Sequence, residues 1–93
     1  MVIERGITKA DAILSLLQRC RRQWYKPDLH SFKARVTNGV VFVECDTDGV
    51  DIHAIYYNEK GEEIRESWRT GRALRDAVDI LYKLGIELDT VET

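Results

Sequence analysis

The chain reads as a single α+β domain: a helix, a four-stranded antiparallel meander and a second helix, with both helices packed on one face of the sheet. Three observations predict it. Apolar residues recur at three- and four-residue steps from Ala10 to Trp24, the period changes to two from Phe32, and helical spacing returns at Leu74. At 93 residues the whole chain, 1–93, makes one domain, too small for two independent cores and for the deep cleft of a typical enzyme. A hydrophobic share of 44% with 32% charged residues is that of a folded protein rather than a disordered one.

The first helix is expected over about 16 residues from Thr8, which is placed as N-cap with Asp11 three positions on. Ala10, Ile13, Leu14, Leu17, Cys20 and Trp24 form its apolar face, and Pro27 ends it by Tyr25. In the first strand Phe32, Ala34 and Val36 alternate with Lys33, Arg35 and Thr37. Asn38-Gly39 supplies the hairpin turn into VVFVEC. Of the two faces of that strand, Val41, Val43 and Cys45 are the more uniformly apolar. The turn DTDG leads to VDIHAIYY, with Val50, Ile52, Ala54 and Tyr56 on one side, and NEKG turns into a polar edge strand, EEIRESW. A second helix follows from about Gly71 to Leu84. Thr70 is its expected N-cap, Leu74, Ala77, Val78, Leu81 and Leu84 its stripe, and Gly85 its left-handed stop. The tail IELDTVET is short, acidic and extended.

The net charge of -2 hides a partition. Residues 19–35 carry Arg19, Arg21, Arg22, Lys26, Lys33 and Arg35 against Asp28 alone, while residues 36–93 hold six bases against thirteen acids. A local excess of this kind steers an acidic partner, whether a phosphate backbone or a carboxylate-rich protein. Arg21, Arg22, Tyr25, Lys26, Lys33 and Arg35 are the contact residues this predicts. Trp24 anchors the helix, and Tyr25 is the freer ring for stacking. The segment WRTGR sets Arg69, Thr70 and Arg72 at a helix start as an anion contact, without the glycine-rich loop of a nucleotide site. Against that stands plain capping by Thr70, with the arginines paired to Asp76 and Asp79.

The words PDLHSFKARVTNG and the helix, sheet, helix order resemble the double-stranded-RNA-binding domain family. The matching positions are Pro27, His30 and Phe32, with Arg69, Arg72 and Arg75 near the second helix. The resemblance implies phosphate contacts from those basic residues. The chain departs from the pattern in lacking a lysine pair at the second helix, in a helix that is not alanine-rich, and in a fourth strand region bearing acids at 59–66.

No catalytic residue, cofactor or metal is expected. Cys20, Cys45, His30 and His53 have no close ligand spacing, and no serine or cysteine is clearly placed beside His53 and Asp51 as a nucleophile. DTDGVD is too short for a calcium loop. Asp46, Asp48, Asp51, Glu59, Glu62, Glu63 and Glu66 are expected to form an acidic rim. Two cysteines do not make a disulfide framework, and no apolar run approaches the 18 or so residues of a membrane span, so a reduced, cytoplasmic protein without membrane contact is expected. The function this predicts is non-catalytic protein binding, as an accessory regulator or an inhibitor of a larger host or phage machine. The alternatives are nucleic-acid binding through the basic patch, and homodimerisation through a sheet face displaying Ile55 and Tyr57.

Overall fold

The computed structural model describes residues 8–21 and 30–92. Its elements are α1 (Lys9–Arg21), β1 (His30–Val36), β2 (Gly39–Cys45), β3 (Val50–Tyr57), β4 (Glu63–Thr70), α2 (Leu74–Lys83) and β5 (Glu87–Glu92). The meander is present, and it has a fifth strand: the sheet order is β4-β3-β2-β1-β5, with every described pairing antiparallel. The acidic tail is β5. It crosses back from α2 to pair with β1, a long-range partnership that no local pattern announces.

α1 rests on β1 and β2, α2 on β3 and β4, and the helices touch each other. Arg21 at the end of α1 donates to the carbonyl of Arg72 just before α2, and the Lys9 ammonium lies 5.9 Å from the Tyr82 ring centroid near the end of α2. The helices are therefore antiparallel. Both feed one core in which Phe32, Ala34, Val36, Val41, Val43, Cys45, Val50, Ile52 and Ala54 supply the sheet side. The opposite sheet face has no described element over it.

Thr8 caps α1 as expected, its hydroxyl accepting the Asp11 amide at 3.1 Å and donating to the Asp11 carboxylate at 2.8 Å. The buried arc is rotated from the expected one. Ala12 and Leu16 join Ile13, Leu17 and Cys20 inside, whereas Ala10 and Leu14 are half-buried beside α2, because α1 packs on a helix as well as on the sheet. Trp24 lies outside the described residues.

Asn38 takes the left-handed conformation (φ 65°), so the first hairpin turns on Thr37-Asn38 and Gly39 is already in β2. Gly39 serves a different purpose. A Cβ there would collide with the Ile55 carbonyl and the Tyr56 backbone of the next strand.

Thr70 does not cap α2: it is the last residue of β4, buried opposite Val50, and α2 begins four residues later behind Ala73, which offers no side-chain cap. The C-terminus behaves as expected. Gly85 (φ 75°) bonds to the Tyr82 carbonyl, and Ile86 to that of Leu81, closing the helix and dropping Ile86 into the core.

Cys20 and Cys45 form a disulfide, with Cα atoms 6.0 Å apart. The two residues end the buried rows of α1 and β2, and packing one row on the other brings them within bridging distance. The expectation of two separate core thiols is corrected. No helix among the described residues is long and apolar enough to cross a membrane.

Candidate interaction surface

The six expected basic-patch residues do not form one face. Arg22, Tyr25 and Lys26 lie outside the described residues. Arg21 sits at the end of α1, on the helical side of the sheet, with one guanidinium nitrogen 2.6 Å from the Arg72 carbonyl. Lys33 and Arg35 project from the other side, since their strand neighbours Phe32, Ala34 and Val36 are buried. Each is met by an acid: Glu92 stands opposite Lys33 and Glu87 opposite Arg35 on β5. Lys33 also lies 5.8 Å from the Phe42 ring centroid. A sequence-local charge excess is thus divided between two sides of a sheet and partly matched by a strand distant in sequence.

The expected anion contact at Arg69, Thr70 and Arg72 is likewise taken apart. Arg69 holds Asp46 through two parallel bonds of 2.8 and 3.0 Å and reaches Asp51 at 2.7 Å. Thr70 is buried in β4, and Arg72 donates its Nε to the Thr47 carbonyl at 2.8 Å. These arginines tie the β2-β3 turn to the end of β4. The carboxylate of Asp46 also accepts the amides of Asp48 and Gly49, closing that turn. Arg69, first, and the Asp48 amide hold the Asp46 carboxyl at about 2, below its ordinary 3.8. A carboxyl depressed in the folded state contributes stability that is complete above its unfolded value and lost as pH falls toward the folded one. Acid titration is therefore expected to remove the Asp46 contribution between about pH 4 and about pH 2. With half of the side chain exposed, solvent screening holds that contribution to no more than about 1 kcal/mol. Asp46→Asn, which keeps the turn acceptor, should remove the Asp46 part of the acid dependence with a smaller loss than Asp46→Ala in urea unfolding curves.

The acidic rim separates into two ends. Asp46, Asp48 and Asp51 lie at the β2-β3 turn, where Arg69 engages two of them, and Glu59, Glu62 and Glu63 lie at the β3-β4 end. Between them runs β3, eight residues and about 23 Å long. Glu66 is on neither cluster. It points to the helical side, where Tyr56 donates to it at 2.7 Å, a bond that raises the Tyr56 phenol above its ordinary value.

What the fold does assemble is the outer face of the sheet. Strand register sets its side chains in rows: Arg65, Ile55, Val40, Arg35 and Glu87 in one; Ser67, His53, Phe42, Lys33 and Glu92 in the next; Arg69, Asp51, Glu44 and Ser31 in a third. Val40, Phe42, Ile55 and Tyr57 make an apolar centre on β2 and β3, with Phe42 38% and Tyr57 51% exposed. They floor a trough of about 1160 Å³ walled by β5 residues, where the pairing of β5 with β1 is irregular. Acids outnumber bases on this face, with Glu44, Asp51, Glu63, Glu87 and Glu92 against Lys33, Arg35, Arg65 and Arg69. Alternation puts Ile55 and Tyr57 on one face of β3; Val40 and Phe42 lie on the less uniformly apolar face of β2, and joining them to the β3 pair needs the register.

His53 Nδ1 lies 2.9 Å from Ser67 Oγ, so a serine does stand beside this histidine. They are directly opposed residues of β3 and β4, and Asp51, two residues from His53, is engaged by Arg69. The pair lies on an open, exposed strand surface. Among the described residues no three His, Cys, Asp or Glu side chains gather as metal ligands. No protein-family model matches the chain, and no curated protein or solved structure is found to be similar to it.

Proposed function

We propose that the chain is a non-catalytic protein-interaction module that docks through the outer face of its sheet, in the role of an accessory regulator or inhibitor of a larger protein. One observation carries this: Val40, Phe42, Ile55 and Tyr57 form an apolar centre on the sheet face that no described element covers. Aromatic residues at the middle of a surface with charges around it are the composition of a protein interface. Phosphate binding is disfavoured by the same face, because Glu87 and Glu92 stand beside Arg35 and Lys33 and would repel a polyanion. The disulfide takes away the argument from reduced thiols, and an oxidising compartment suits it better than the cytoplasm.

The test is capture from cell extract by immobilised wild-type protein and by two variants that keep the fold. Tyr57→Lys is expected to lose the captured protein and Arg21→Ala to retain it. Labelled DNA and RNA should show no mobility shift at about 50 mM or about 200 mM salt. A low-salt shift removed by Lys33→Ala with Arg35→Ala would move the function to phosphate binding.

A further inference from the structure

We infer that the occupant of the outer face is a second copy of this chain, joined by a two-fold axis running along β2. This rests on that face being a docking surface, and makes a second copy its occupant whenever the larger protein is not bound there. The charges flanking the apolar centre are unequal: β4 carries Arg65 and Arg69 against Glu63 on one side, and β5 carries Glu87 and Glu92 on the other. Arg65 and Glu87 end the same row, which runs through Ile55, Val40 and Arg35 across all five strands.

A two-fold axis parallel to the strands through β2 reverses the strand order while keeping each row level. Val40 and Phe42 then meet their own copies, Arg35 covers the partner's Ile55, and Arg65 lies over the partner's Glu87, twice by symmetry. An axis across the strands would instead stack β5 on β5 and β1 on β1, acid on acid and base on base. Charge complementarity selects the first. Arg65 is free to turn outward, because its 3.2 Å contact with Glu63 is made by a side chain that is 70% exposed. Glu44, on β2 in the third row, meets its own copy, so the two sheets open at that end and close at the end of Val40 and Tyr57.

The size of the face sets the strength. Five strands spaced about 4.8 Å apart and about 23 Å long offer about 550 Å² per copy, or about 1,100 Å² in all. That is the small end of specific interfaces, so the dimer is weak and concentration-dependent.

Sedimentation equilibrium of the full, oxidised chain from low micromolar to several hundred micromolar concentration tests it. The expected result is a reversible monomer–dimer equilibrium with a micromolar dissociation constant. Phe42→Lys should abolish it; should that variant fail to fold, Tyr57→Lys gives the same readout. Arg65→Glu should weaken association about tenfold, Arg65→Glu combined with Glu87→Arg should restore it, and Glu44→Gln should tighten it about threefold. A dimer indifferent to Phe42→Lys and Tyr57→Lys uses another surface and overturns the inference. So does a monomer at every concentration. If that monomer still captures a protein in a Tyr57-dependent way, only the inference fails and the docking surface stands with a different partner; if capture ignores Tyr57, both fail.

Discussion

Reducing the Cys20–Cys45 bridge is expected to lower the stability of the domain by about 3.5 kcal/mol, the chain entropy released when a cross-link spanning 25 residues is opened. For a domain of this size that corresponds to a fall in melting temperature of roughly 15–25 °C. The bridge is the covalent link between the last turn of α1 and the end of β2, both in the core. Thermal unfolding with and without reductant measures the effect, and the double variant Cys20→Ala, Cys45→Ala should match the reduced protein to within the small packing loss. Equal melting temperatures in both conditions would mean that the helix is held by packing alone.

Gly49→Ala is expected to cost on the order of 3 kcal/mol, and Gly61→Ala only about 1 kcal/mol, although both glycines sit in turns of the same meander. A Cβ at position 49 would stand 2.0 Å from the Thr70 carbonyl oxygen, and 3.1 Å from the Gly71 Cα, so backbone would have to move. That backbone is pinned, because Thr70 pairs with Val50 and Arg69 holds both Asp46 and Asp51. At Gly61 a Cβ meets nothing, and the cost comes from a backbone φ of 79° alone. Denaturant midpoints of the two variants separate steric exclusion from conformational preference. A Gly49→Ala variant as mild as Gly61→Ala would show that β4 can slide away from the β2-β3 turn.

Much of the interior was legible because burial on a strand follows a period of two. Phe32, Ala34 and Val36, then Val41, Val43 and Cys45, then Val50, Ile52 and Ala54 all face inward as alternation requires. Gly85 was legible for a local reason as well, since a helix end needs a left-handed residue. What stayed hidden depends on partners distant in sequence. β5 looks like an acidic tail until it is placed against Lys33 and Arg35, and Thr70 looks like a cap until β4 is registered on β3.

Charge was the least legible property. RCRRQWYKP and the residues up to Arg35 carry a local excess of base, but Arg21 lies on the helical side of the sheet and Lys33 and Arg35 on the other. The seven acids expected in one rim are spread along the length of β3, with Glu66 turned toward the helices. An antiparallel hairpin sends successive turns to opposite ends of the sheet, so acids that are near in sequence part company. The apolar centre behaves in the opposite way: Phe42 and Tyr57 are 15 positions apart in the chain, yet adjacent strands bring them to one surface.

Hydroxyl-radical footprinting of the intact protein, read by mass spectrometry, would test that surface most directly. Tyr57 and Tyr82 are 51% and 53% exposed, one on the outer sheet face and one on α2, so each serves as the other's reference. At high protein concentration or in extract, oxidation of Tyr57 and Phe42 should slow several-fold while that of Tyr82 holds its dilute-solution rate. Tyr57 oxidised as fast as Tyr82 under every condition, or Tyr82 protected in its place, would contradict a working surface on the outer face of the sheet.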